Sequence, residues 1–203
     1  RESLKPISVQ AYASCLKWQQ PKYAKQLAEA SDGKLDYQNR PSEDFARSLI
    51  EYETDDGQKL VVETTTSWCF VGAGLRLSVE LFGPEYSMFM NTLDTDLKLF
   101  FSREVSGNQG EDMVEKQNAE SGVMPVVSSE EEVYGYTAEN RHMVESFLAG
   151  KRPDENFSDG VNVTELLMTA YMSAEQGKTI QFPPDNLDTF IPAVAKGEWN
   201  PNK

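Results

Sequence analysis

His142, in Glu139-Asn140-Arg141-His142, is the only imidazole in the chain and so the one side chain that titrates near neutral pH when unperturbed. It could carry a proton in a reaction, or it could be a structural histidine hydrogen-bonded on one face of a helix. Arg141 beside it has a planar guanidinium that could clamp a substrate hydroxyl or carboxylate, or pair with Glu145 on a helix surface. Lys116 and Asn118, in Glu115-Lys116-Gln117-Asn118, pack donors and acceptors densely within a long polar stretch, where the alternative is a solvated helix face. Trp18 and Trp68 stand at strand ends. There an indole can form the apolar floor for a sugar ring and donate one hydrogen bond, or it can pack in the core.

Other chemistries lack their residues. The only Gly-x-Gly, Gly72 and Gly74, has Leu77 where a dinucleotide fingerprint needs its third glycine, and a strand pattern follows where a helix should. There is no phosphate-binding loop and no Gly-x-Ser-x-Gly elbow. One histidine and two scattered cysteines, Cys15 and Cys69, cannot build a zinc cage, and no Ca²⁺ loop spacing is present, so no metal site is expected. A net charge of −14 repels phosphate backbones and anionic lipid, which argues against nucleic acid and membrane partners. The two cysteines fit a reducing compartment. A cytoplasmic location is therefore expected, unless a targeting signal lies upstream of Arg1.

The elements that must position these residues fall into two halves within 203 residues, a length suited to one domain. Residues 1–106 carry net −4 and read mostly as sheet; residues 107–203 carry net −10 and read mostly as helices and loops. Ile7 to Trp18 reads as a first strand and Lys22 to Ala30 as a helix. Leu75, Leu77, Val79 and Leu81 alternate with polar neighbours, and Tyr86 to Asn91 and Leu97 to Ser102 follow after short turns that only antiparallel strands can use. At Asp55-Asp56-Gly57 a three-residue turn with a left-handed Gly57 sorts the flanking strands best. It gathers Ala46, Ser48, Ile50, Tyr52, Leu60, Val62, Thr64, Thr66 and Trp68 on one face.

Ser8, Gln10, Tyr12 and Ser14 form one side of the first strand, polar but uncharged, which suggests a sheet face covered by another subunit or domain. Ser129 to Glu132 has the form of a capping box for a helix ending at Gly150, with Val133, Tyr136, Asn140, Met143, Val144 and Phe147 on its inner stripe. Asp159 is expected to open a second helix, with Val163, Leu166, Leu167, Ala170, Tyr171 and Ala174 inward and Gly177 closing it. Arg103 to Ser128 is a long polar stretch between sheet and helices.

Several segments together resemble a known family. Gly135-Tyr136-Thr137-Ala138-Glu139-Asn140-Arg141-His142-Met143-Val144, then Phe147, Gly150, Pro153, Asp159-Gly160, Ala170-Tyr171, Ser173-Ala174-Glu175 and Gly177 resemble the C-terminal half of the Gfo/Idh/MocA oxidoreductases. Ser67-Trp68, Gly72-Ala73-Gly74-Leu75-Arg76-Leu77, Glu80-Leu81-Phe82-Gly83-Pro84-Glu85, Ser102-Arg103 and Glu115-Lys116-Gln117-Asn118-Ala119-Glu120 look like one bacterial subgroup of it.

The resemblance implies an α+β fold: a large, open, mainly antiparallel sheet with helices on one face and the other face available for subunit contact. It implies that residues 1–203 are a single C-terminal substrate-binding and oligomerisation domain, with NAD or NADP bound mainly by an N-terminal Rossmann domain absent from this chain. The implied reaction is hydride transfer between a nicotinamide and a hydroxyl-bearing carbon of a sugar or cyclic polyol. The family's catalytic Glu-Lys-Pro lysine and Asp-x-x-x-His histidine have no counterpart here. Ala138 stands four residues before His142, so His142 is not that histidine, and no catalytic residue is expected in this chain. Trp68, Arg76, Lys116, Asn118, Arg141 and His142 are the expected substrate-binding or domain-interface residues. An NAD-dependent glycosidase of the same fold and a non-catalytic dimerising or carbohydrate-binding module are the alternatives.

Overall fold

Gly57 is left-handed, at φ +81°, and around it the Gly57 amide donates to the Thr54 carbonyl at 3.0 Å while the Thr54 amide donates to Gln58 at 2.9 Å. The computed structural model describes residues 4–69, 76–94, 98–101, 122–125 and 129–200. The Gly57 turn joins β2 (Phe45–Thr54) to β3 (Lys59–Ser67), pairing Phe45 with Ser67, Ile50 with Val62 and Glu53 with Lys59. That is the three-residue register, and it fixes which side chains share a face.

The chain divides into two compact units: residues 1–70 with 155–203, and residues 71–154. In the first, β1 (Leu4–Ser14) pairs antiparallel with β2, Val9 opposite Ile50, with a bulge between Pro6 and Ser8. A short strand, Ile180–Gln181, pairs with Ser8 and Val9 on the other edge of β1, giving an open four-stranded antiparallel sheet. With the helices described below, the fold is α+β. β1 ends at Ser14, short of the expected Trp18, because the chain turns there and points the Leu16, Lys17 and Trp18 amides at one carboxylate. Helix α1 (Pro21–Ala30) starts on a proline, whose missing N–H costs nothing in the first turn, and it buries Ala24.

The expected cover over Ser8, Gln10, Tyr12 and Ser14 takes on a different meaning in this register. Ser8 lies opposite Glu51, Gln10 opposite Leu49 and Tyr12 opposite Arg47, so these polar side chains share their face with charges. Arg47 pairs with Glu63 and Lys59 with Glu51 on that same face, and Lys59 holds the Glu51 carboxyl below its ordinary range. The uncharged face of β2 and β3 is the opposite one.

The 20-residue helix Phe157–Gln176 starts two residues before the expected Asp159. Asn156 is its N-cap and Asp159, three residues on, reaches back to the Asn156 amide, forming a capping box. Gly177, at φ +62°, ends it. It packs along β1 through small polar side chains rather than the expected apolar stripe: Thr169 and Ser173 are fully buried, while Val163 and Leu167 are exposed. Ser173 explains the closeness, since its hydroxyl accepts from the Ala11 amide at 2.8 Å and donates to the Lys178 carbonyl at 2.7 Å. A leucine there would hold the helix off the strand.

In the second unit, β4 (Ser78–Phe82) and β5 (Ser87–Asn91) form one antiparallel hairpin. β6 (Lys98–Phe101) pairs with β7 (Gly122–Pro125) in another. The helix expected from Ser129 to Gly150 is broken into α2 (Glu130–Val133) and α3 (Tyr136–Leu148), because Gly135 adopts φ +86°, which an α-helix cannot continue through. The expected inner stripe is also not the buried one: Val133, Tyr136, Val144 and Phe147 are exposed and Ser146 is buried. With the labels in chain order, Phe157–Gln176 is α4. It is followed by the Ile180–Gln181 strand (β8), a 3₁₀ turn at Leu187–Thr189 and α5 (Ala193–Lys196).

Candidate functional site

Asp44 organises the end of the first unit's sheet. Its carboxylate is fully buried and accepts the amides of Leu16, Lys17 and Trp18 at 2.7, 2.8 and 2.9 Å, with the Cys15 thiol 3.6 Å away. Its backbone amide donates to the Ser14 carbonyl and its carbonyl accepts from the Trp68 amide at 2.8 Å. One residue therefore ties the ends of β1, β2 and β3 together. A carboxyl group facing three convergent amides is satisfied in place, which makes Asp44 a structural anchor.

Beside that anchor, a groove of ≈ 250 Å³ runs between α4 and the outer strands. Ala11, Ala13 and Ala46 form its floor, and Ala170 and Ala174 form its wall. Polar groups sit at defined points. Ser48 and Thr64 share a hydrogen bond at 2.6 Å, and Tyr171 donates its hydroxyl to Glu43, whose other oxygen accepts from Ser42 at 3.0 Å. Burial, then the bond to Glu43 and its charge, raises the Tyr171 phenol, so it stays a donor. Trp68 closes the end: its backbone is pinned by Asp44 and by the Trp18 indole N–H at 3.2 Å, yet the residue is 60% exposed. A pinned backbone with an exposed ring is suited to stacking on the apolar face of a ring-shaped ligand.

The same corner gives a pH prediction. Burial, then the neighbouring Asp44 charge, pushes the Cys15 thiol from 9.0 up to about 12. Cys15 and Tyr171 both hold their protons more tightly folded than unfolded. The stability they contribute is full below pH 9 and is lost as pH climbs through about 12. Urea midpoints should therefore fall across that alkaline window. With iodoacetamide at pH 8, the half-buried Cys69 should label in the native protein while Cys15 labels only after unfolding.

Of the expected site residues, Trp68 lines the groove. Arg76, Arg141 and His142 belong to the second unit and are exposed, the last two adjacent on α3. His142 Nε2 accepts the Asp154 amide at 2.9 Å, with the Asp154 carboxylate 3.8 Å away. Lys116, Asn118 and the Gly72–Gly74 pair lie outside the described residues. Glu43 and Asp44 were not expected from the sequence; the signal available was two adjacent acids directly before a strand.

Among the described residues, no group of three or more His, Cys, Asp or Glu is placed to hold a metal, and no helix is long and apolar enough to cross a membrane. The first turns of α3 and α4 carry Glu139 and Asp159, and α4's leading amides are already capped by Asn156, so neither N-terminus welcomes a phosphate.

No protein-family model matches the chain, and no curated protein matches it. Solved structures share this fold over most of the chain. GenD2 from gentamicin A biosynthesis, in complex with NAD, superposes with a TM-score of 0.58 and 21% identity, over 87% of this chain and 42% of that one. Myo-inositol 2-dehydrogenase from Lactobacillus plantarum superposes with a TM-score of 0.52 and 16% identity, over 88% of this chain and 42% of that one. The likeness is one of fold, and the chain spans under half the length of these two structures.

Proposed function

We propose that residues 1–203 form the C-terminal substrate-binding and subunit-contact domain of a longer NAD(P)-dependent oxidoreductase acting on a sugar or cyclic polyol in the cytoplasm. The observation that carries this reading is the dehydrogenase fold, matched over 87% of a chain that spans 42% of the matched enzyme. NAD or NADP is held by a Rossmann domain outside these residues and supplies hydride exchange with a hydroxyl-bearing carbon. The part played by this chain is to bind and orient the substrate.

In this reading Trp68 stacks on the sugar or polyol ring at the open end of the groove, where the Glu43–Tyr171 pair offers an acceptor and a donor for hydroxyls. Arg76, Lys116, Asn118, Arg141 and His142 complete the substrate pocket or the domain interface. The face bearing Tyr12, Leu49 and Val61, all exposed, makes the homo-oligomer contact; a clean monomer in light scattering at micromolar concentration would remove that element.

Kinetics of the protein from its complete reading frame test the assignment. Trp68→Ala is expected to raise KM for the preferred polyol by about tenfold, the loss of one ring-stacking contact of about 1–1.5 kcal/mol, with a smaller change in kcat. Unchanged kinetics in a folded W68A protein would reject the stacking role. Absence of NAD(P)-linked activity over a panel of sugars and polyols would reject the function.

A further inference from the structure

We infer that the groove beside α4 is built for a ring that carries an amino group as well as hydroxyls, an amino sugar or an aminocyclitol, whose ammonium is received by Glu43 next to Tyr171. This deepens, and rests on, the reading of the groove as the seat of a ring-shaped substrate.

The charges that border the groove leave one sign unbalanced. Glu43, Asp44 and Arg47 are the charged residues that line it, and no lysine does. The Asp44 carboxyl is taken up by three amides, and the Arg47 guanidinium is bound to Glu63 on the other face of the sheet. Glu43 is half-buried and, among the described residues, pairs with no lysine or arginine. A sugar phosphate or a uronate would bring a second anion to it with no cation between them. A ring ammonium supplies the missing charge.

Hydrogen-bond capacity points the same way. The Tyr171 hydroxyl donates to one Glu43 oxygen, and the Ser42 hydroxyl donates to the other at 3.0 Å. A carboxylate has about four acceptor positions, so about two stay open, and the phenol oxygen keeps lone pairs as well. What the pair holds out is therefore acceptors around a negative charge. A ligand hydroxyl can donate here once, and it can accept from Tyr171 only by drawing the phenol off Glu43. An ammonium meets these acceptors with several charge-assisted N–H donors and leaves that bond intact. Ser48 and Thr64 spend one proton on their shared bond at 2.6 Å, which leaves one neutral hydroxyl donor to read ring hydroxyls. At ≈ 250 Å³ the groove lies below the roughly 300–1,000 Å³ of sites for drug-sized molecules, a size suited to a single ring.

The test uses the protein from its complete reading frame with matched probes: glucosamine, glucose, N-acetylglucosamine and glucuronate, and the cyclitol pair scyllo-inosamine and scyllo-inositol. In at least one pair, NAD(P)-linked kcat/KM is expected to be about tenfold higher for the amine than for its hydroxyl counterpart, with N-acetylglucosamine and glucuronate below glucosamine. Glu43→Gln keeps the length of the side chain and loses its charge, so it should bring amine and hydroxyl forms to within about twofold of each other. Equal kcat/KM for amine and hydroxyl forms in both pairs, a preference for glucuronate, or an amine preference that survives E43Q would each overturn the inference. If that variant fails to fold, the unmodified protein decides: N-acetylglucosamine keeps the nitrogen without the charge, and turnover equal to that of glucosamine would refute the ammonium site. If no probe is turned over, calorimetry reads binding alone. Amines bound about tenfold tighter than their hydroxyl counterparts would leave the ligand class standing and remove the proposed reaction, whereas amines that bind no better would remove both.

Discussion

Replacing Asp44 with alanine is expected to cost about 3–5 kcal/mol of stability, the largest effect of any single substitution in the first unit. The carboxylate accepts three amides at 2.7–2.9 Å from a fully buried position, and a methyl group there leaves all three part-buried amides without that acceptor. Asp44→Asn should be milder, about 2–3 kcal/mol. One amide oxygen can keep the bonds of Lys17 and Trp18, but the NH₂ then faces the Leu16 amide, donor against donor. Urea unfolding of the three proteins measures the order. An Asp44→Ala protein as stable as the parent would mean that these amides find other partners.

Ser173→Ala should cost about 2–3 kcal/mol, although it removes a single oxygen atom. That buried hydroxyl serves two part-buried backbone groups at once, the Ala11 amide and the Lys178 carbonyl, and alanine satisfies neither. Thr164→Ala on the same helix is the control. Its hydroxyl bonds only the Gly160 carbonyl on an exposed turn, so the change should stay within about 0.5 kcal/mol. Equal losses for the two would show that helix propensity, and not the seal on β1, is being measured.

Ser173 also marks the limit of what the sequence makes legible. Alternation over Phe45–Ser67 and the left-handed demand at Gly57 define the hairpin to the residue, because a wrong register would bring charges onto the apolar face. The α4 boundaries were nearly legible for a similar reason: caps are local. Which face of α4 is buried was not, because apolar periodicity favours Val163 and Leu167, while the closest contact with β1 uses the smallest side chains. The break at Gly135 was missed because the flanking residues keep helical periodicity and only the glycine's φ departs.

The candidate site divides along the same line. Trp68 could be singled out from residue type and strand-end position. Asp44 and the Glu43–Tyr171 pair depend on contacts that span 26 to 28 and 128 residues, and no local pattern announces them. His142 was legible as unusual, but its acceptor role toward the Asp154 amide depends on how the chain turns after α3.

The bond from Ser173 to Ala11 closes a span of 162 residues, and that separation has a kinetic meaning. During synthesis β1 emerges first and can pair with β2 as soon as the Gly57 hairpin is made. Its other edge stays open until the whole second unit and α4 have left the ribosome, because β8 follows them in the chain. Closing so long a loop gains nothing until it is complete, so docking of α4 should be the late, slow step in refolding. Until then the nascent chain displays an unpaired strand edge to its neighbours, the exposure that general chaperones recognise and that crowded synthesis makes hazardous.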